Sequence, residues 1–252
     1  MYLEVGTLDA AGYTRHMGSR ERLVEAMAEL MWERGYSATS PREVRELSGV
    51  GQGSMYHYFP TKRDLGLAAL NHNCQVQFSS WRTALADVED PLEVLSAYLT
   101  LPRDPLKGCR VGRMAQDKAV MADDGLRKPI AEAFAQLHQM LVAVIDAAAS
   151  EGRLPGGLDS GDLARTIVAV VQGGYVLAMA QQDRAPYDAA RRGALELLRA
   201  AARAAPAAPA GPAGPPDPAA RVASLSEPEE LSSPVPVDLG TGRHALSEGE
   251  TS

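Results

Sequence analysis

The chain has little cysteine, few aromatic residues and no excess of positive charge. Two cysteines, Cys74 and Cys109, among 252 residues are too few for a disulfide-dense scaffold or a four-cysteine zinc site. Aromatics make up only 5% while alanine is abundant, which argues against an all-β chain, because strands favour aromatic and β-branched side chains and alanine favours helix. A net charge of −7 excludes a generally basic nucleic-acid coat but not DNA binding by one local face. The most apolar stretch, 163–180, is interrupted by Arg165, Thr166 and Gln172, so no membrane span is expected. Residues 1–11 lack a basic segment followed by an apolar run, so no signal peptide is expected and the default setting is cytoplasmic. His72 and Cys74 stand two apart with no carboxylate or second pair to complete a metal site, and His16, His57, His138 and His244 are scattered. No phosphate-cradling glycine loop follows a strand, and no nucleophile with a base can be named. Neither an enzyme nor a metal or cofactor is expected.

What is present suits a soluble globular protein with a sizeable core: 45% hydrophobic and 23% charged residues. The charge is unevenly spread. From Ala201 to Ser252 three arginines face seven acids, whereas Arg15 to Asp64 carries eight basic against seven acidic residues. The front is therefore the least acidic part. After Arg203 the chain reads AAPAAPAGPAGPPDPAA and then a Ser/Glu/Pro-rich stretch. Repeated proline breaks helix and little large apolar mass remains to bury, so 205–252 is expected to be a disordered tail, with an interaction tail as the functional alternative. Residues 1–16 have no clear period and are read as a flexible extension. Met17-Gly-Ser-Arg just before the first helix makes Met17 an alternative start.

Between these ends every signal is helical, and the expected architecture is all-α. A first helix from about Ser19 to Arg34 would bury Leu23, Met27, Leu30 and Met31, with Gly35 as its stop. Ser40-Pro41-Arg42-Glu43 reads as a capping box opening a very short helix, with Val44 and Leu47 inward and Gly49-Val50-Gly51 at its end. A second short helix spans about Gln52 to Tyr58, and Pro60 stops it. Thr61 to Asp64 opens a long helix to about Leu85. Asp90 to Glu93 is a third box, opening a helix to about Leu101. Further helices are expected over Val111–Met121, Leu126–Glu151, from Asp159 or Ser160 to Gln182, and over Ala189–Ala202.

The order of these elements carries the function. Two very short helices around a Gly-Val-Gly turn, set between a capped amphipathic helix and a capped long one, have the size and turn of a helix-turn-helix. The second short helix, Gln52-Gly53-Ser54-Met55-Tyr56-His57-Tyr58, offers donors and flat rings with little aliphatic mass. Its polar side chains can bond phosphates or base edges, and Met55 is its inward anchor. Tyrosine at helical spacing also reads as plain core, and Phe59 is assigned there.

The stretch TSPREVRELSGVGQGSMYHYFPTKRDLGLAAL, with RERLVEAMAELMWERGYSATS before it, resembles the DNA-binding signature of the tetracycline-repressor (TetR/AcrR) family over about Ser19 to Leu70. Gly108-Cys109 and the run around Gln172 resemble its LmrA/YxaF-like branch. The resemblance implies a helix-turn-helix domain at 17–66 and a ligand-binding and dimerisation domain at 67–204. It places Ser40 and Arg42 against phosphates, Gln52, Ser54, Tyr56 and His57 at the major groove or its rims, and Tyr58 and Lys62 on the backbone of a double-stranded operator. A homodimer seam is expected from Val168, Val171, Tyr175, Met179, Leu195 and Leu198, the alternative being that they face only the protomer's own core. Gly173-Gly174 inside a helix suggests close helix packing. A mostly apolar effector pocket is expected from Phe78, Trp81, Tyr98, Cys109, Met114, Phe134, His138 and Leu141, with Gln172 as a polar contact, although each of these also reads as plain core. Cys109, beside Lys107 and Arg110, reads either as a buried small residue or as an oxidant-sensitive thiol. The expected function is a homodimeric repressor released from a palindromic operator by a small lipophilic effector. The alternative is a helical ligand- or oxidant-sensing protein with weak or lost DNA binding.

Overall fold

The computed structural model describes residues 17–205. The expectations for residues 1–16 and for the tail from Pro206 onward lie outside these residues. Within them the chain is all-α: α1 (Ser19–Arg34), α2 (Pro41–Ser48), α3 (Gln52–Tyr58), α4 (Lys62–Leu85), α5 (Pro91–Thr100), a 3-10 turn (Gly112–Gln116), α6 (Lys118–Ala122), α7 (Asp124–Ser150), α8 (Ser160–Gln181) and α9 (Ala185–Ala204).

Local chemistry sets most of the boundaries. Leu23, Met27, Leu30 and Met31 of α1 are buried as their spacing requires. Ser40 closes a full capping box on α2: its hydroxyl accepts from the Glu43 N–H, and the Glu43 carboxylate accepts from the Ser40 N–H at 2.9 Å. Gly49 ends α2 at φ +66°, a left-handed conformation that costs a residue with a Cβ about 1–2 kcal/mol. Thr61 and Asp64 form the same box on α4.

Four expectations are corrected. Leu47 is 56% exposed, because Val44 and Ser48, one full turn apart, define the buried line of α2. Asp90 caps α5 alone, accepting from the Leu92 N–H at 2.8 Å, and Glu93 closes no box. The helix expected over Val111–Met121 is divided at Asp117. That carboxylate accepts from the N–H groups of Ala119 and Val120 and so starts α6 afresh. The last helix begins at Ala185, four residues early, with Pro186 in its first turn.

α1, α2 and α3 form one small cluster, with α4 packed along α1. α4 then continues into a body where it meets α5 and α7, while α8 lies against α7 and α9. Residue 66 is inside α4, so the two halves share a rigid helix. Polar contacts fix their register. Arg63 Nε and Nη2 hold the Asp123 carboxylate at 2.6 and 2.8 Å. Asp117 accepts from the Ser37 N–H and hydroxyl at 2.7 and 2.6 Å. Trp32 Nε1 donates to the Gly108 carbonyl at 2.9 Å, while Lys107 and Arg110 lie over its ring at 4.0 and 3.8 Å and both pair with Glu29. Exposed ion pairs are worth only about 0–1 kcal/mol each. They matter here as fixed-geometry links between the α1–α3 cluster and the helices packed beyond it.

Candidate functional site

α3 has one anchor and one face. Met55 is 3% exposed and Phe59, at its C-cap, is 5% exposed, whereas Gln52, Gly53, Ser54, Tyr56, His57 and Tyr58 are all exposed. Tyr56 at 47% and Tyr58 at 42% exposure are not core. Nothing lies within 4 Å of a Cβ built on Gly53, so the start of the helix is open to close approach. His57 and Tyr58 stack edge to face, with centroids 5.2 Å apart.

The flanking residues are partly engaged. Arg42 is exposed and bonds Glu46 at 2.7 Å. The hydroxyl of Ser40 is taken up by the capping box and half-buried. Lys62 lies over the Tyr36 ring at 4.4 Å, and this burial pulls its ammonium below the ordinary lysine range despite the nearby Asp117 and Glu43. Tyr36 in turn presses on α4 where Gly66 leaves room, its Cε2 only 2.6 Å from where a Cβ would stand. Arg45, which the sequence did not single out, belongs to this face: its Nη1 donates to Gln52 Oε1 at 2.8 Å. Only the three-dimensional contact across the turn brings residues 45 and 52 together. A run of donors along the recognition face suits phosphates and the acceptor-rich edges of bases.

In the body, Phe78, Trp81 and Tyr98 form one edge-to-face ladder, with centroids 5.1 and 5.9 Å apart. Trp81, Tyr98, Met114 and Leu141 are buried, and Phe134 is half-buried. Gln172 is drawn to the turn beside Gly112 instead. His138 lies apart, its Nε2 3.1 Å from the Gly161 carbonyl. Cys109 is buried, and its Sγ accepts from the Gly112 N–H at 3.2 Å, a setting that favours its reading as a small core residue. Burial pushes the Cys74 thiol up to about 12.

Three of the six residues expected at the seam turn inward. Val171, Tyr175 and Leu198 face the protomer's own core at 2%, 7% and 7% exposure. Val168 and Leu195 pack partly against that core, and Met179 approaches Gly108. The free apolar stripe is one step round the same helices: Gly173, Val176 and Leu177 on α8, with Gly193 and Leu197 on α9. The signal was present in the sequence, but the period alone does not say which of two apolar faces is internal. Gly174 alone meets the close-packing expectation, with the Tyr187 ring 2.9 Å from a built Cβ. Gly173 has nothing within 4 Å. This second face also makes α8 long and apolar enough to cross a membrane by length and composition. In the fold α8 is seated on α7 and α9 through Ala164, Ile167, Val171, Gly174, Tyr175 and Ala178.

A short capped helix, a glycine turn and a second short helix with one buried anchor and an open polar face, all set on α1 and α4, define a helix-turn-helix DNA-binding regulator. The chain belongs to the TetR family. Residues 19–69 match the model of bacterial regulatory proteins of the tetR family, and residues 77–194 match the tetracyclin repressor-like C-terminal domain. An HTH-type transcriptional regulator from the lacX 3' region of Lactococcus lactis is 26% identical, over 66% of this chain and 85% of its own length. The HTH-type regulator YxaF of Bacillus subtilis is 22% identical, over 67% of this chain and 88% of its own. A crystal structure of a TetR-family regulator from Cytophaga hutchinsonii has the same fold, with a TM-score of 0.65 at 22% identity, covering 74% of this chain and 98% of that one. The family consists of transcriptional regulators, not enzymes.

Proposed function

We propose that this regulator is a cytoplasmic homodimeric repressor that binds a palindromic operator and leaves it when a small effector enters the body. The observation that carries the reading is the exposed polar face of α3 on its buried Met55 anchor. Gln52, Ser54, Tyr56 and His57 would meet the major groove, with Arg45 adding a donor beside Gln52. Arg42, Tyr58 and Lys62 would meet phosphates, and Ser40 would act mainly through its cap. The stripe of Gly173, Val176, Leu177, Gly193 and Leu197 would form the seam, a four-helix contact in which α8 and α9 meet their copies. An effector held among α4, α5 and α7 would act through α4, because that helix passes without a break from the body to the DNA-reading cluster.

The test is selection of duplex DNA by the full chain, followed by binding of the winning duplex across salt. A two-fold symmetric consensus with affinity falling steeply as salt rises supports the reading. Absence of any consensus, with weak binding even at low salt, refutes it.

A further inference from the structure

Among the described residues, two buried side-chain atoms have no hydrogen-bond partner, Trp81 Nε1 and Arg103 Nη2. Both are donors, and both belong to side chains that adjoin one ring. The Trp81 indole, 8% exposed, stands edge-on to Tyr98 at 5.9 Å. The Arg103 guanidinium lies over Tyr98 at 4.9 Å, and its Nη1 donates to the Tyr187 hydroxyl at 3.4 Å. No described carboxylate pairs with Arg103. The acid on the first turn of α9, Asp188, is already engaged, 3.0 Å from Arg184 and 3.8 Å from Arg191. Arg191 itself lies 5.0 Å from the Tyr187 ring centroid, so two guanidinium groups flank one tyrosine, and the carboxylate beside them is taken by Arg184 and Arg191 and does not reach Arg103.

A buried donor without an acceptor loses its water and gains nothing, and a cation without a counter-charge loses more. Native interiors leave few such groups. Here the unmet groups are all donors and one is a cation, so the missing partner is rich in acceptors and anionic. The unmet Nη2 of a guanidinium suits a carboxylate oxygen, and the ladder of Phe78, Trp81 and Tyr98 puts aromatic surface beside it. We infer that Arg103, Trp81 and Tyr98 form a binding site for a flat aromatic carboxylate. This deepens the effector reading given above, on which it rests, and replaces a purely lipophilic ligand with an anionic one. Arg103 comes from the loop between two prolines, Pro102 and Pro105, where hydrophobic periodicity carries no information.

The experiment is calorimetric titration of the full chain, without DNA, with 4-hydroxybenzoate and indole-3-acetate, each beside its uncharged amide. The expected result is that at least one acid binds tenfold to a hundredfold more tightly than its amide, on the order of one charge-assisted hydrogen-bond pair. Arg103→Gln should abolish that preference while retaining binding to the selected duplex, and Trp81→Phe should weaken the acid with its ring wall kept. Equal binding of acid and amide, no binding of either acid at millimolar concentration, or an undiminished preference in Arg103→Gln overturns the inference. The acid–amide comparison on the unmodified protein stands even if a variant folds poorly. Because DNA is absent, an acid that binds yet releases no operator counts against the repressor reading and leaves this site intact.

Discussion

Replacing Tyr56 and Met55 separately by alanine divides the recognition helix into its reading face and its anchor. They are neighbours in sequence but opposite in burial, at 47% and 3% exposure. Tyr56→Ala removes a half-exposed ring, so stability should change by no more than ~0.5 kcal/mol. Met55→Ala empties a buried site, with a cost of about 2–5 kcal/mol. For a chain of this size about 1 kcal/mol corresponds to roughly 2–4 °C, so Met55→Ala should lower Tm by ~4–20 °C while Tyr56→Ala leaves it nearly unchanged. DNA affinity should separate them in the opposite sense. A base contact discriminates by about 1–3 kcal/mol, and a two-fold operator engages two copies. Tyr56→Ala should therefore weaken operator binding by roughly 30-fold to 10⁴-fold at fixed salt. Thermal unfolding followed by circular dichroism, with fluorescence anisotropy on the selected duplex, measures both. A Tyr56→Ala variant that melts as early as Met55→Ala would place Tyr56 in the core. One that melts normally and binds normally would show that α3 does not read DNA.

Three further outcomes follow from the same structure. Val176→Asp and Leu197→Asp change residues 48% and 75% exposed and should give folded monomers in analytical ultracentrifugation. Dimers of unchanged strength would place the seam elsewhere. Gly66→Ala should lower Tm by a few degrees. The Tyr36 ring, 2.6 Å from the new Cβ, imposes about 1–3 kcal/mol of overpacking against about 1 kcal/mol of helix gain, and a raised Tm would refute that packing. Acid should loosen the joint between the two halves. Asp117 loses some acidity to burial but more than regains it from the Ser37 hydroxyl and N–H, and the Arg63 hydrogen bond holds Asp123 at about 2. Both lie below the ordinary value of 3.8, so each carboxylate favours the fold when ionised above that value, and its contribution is lost as pH falls toward 2. An Arg63→Gln chain should lose the larger share of the Asp123 part of this dependence, the Gly125 and Leu126 N–H groups keeping the rest. If its stability profile below pH 4 matches that of the unmodified chain, the pair does not link the halves.

Local sequence determined every element whose cause is local. Ser40, Thr61, Asp90 and Asp159 start helices because a short acceptor meets free N–H groups wherever it occurs. Gly35 and Gly49 stop helices because they tolerate positive φ. The buried line of α1 and the short-helix pair were legible for the same reason, and the motif from Ser40 to Lys62 carried the family with it. What the sequence could not decide was the facing of helices apolar on more than one side. On α8 and α9 only packing determines that Val171, Tyr175 and Leu198 turn inward while Val176, Leu177 and Leu197 remain free. Nor could it pair residues distant in the chain: Arg45 with Gln52, Arg63 with Asp123, or Arg103 with Tyr98 and Tyr187. A charged side chain in a loop has no periodicity to betray its partner. Whether it is solvated, paired or buried without a partner is set by the energetics of its surroundings, which exist only once the helices have assembled.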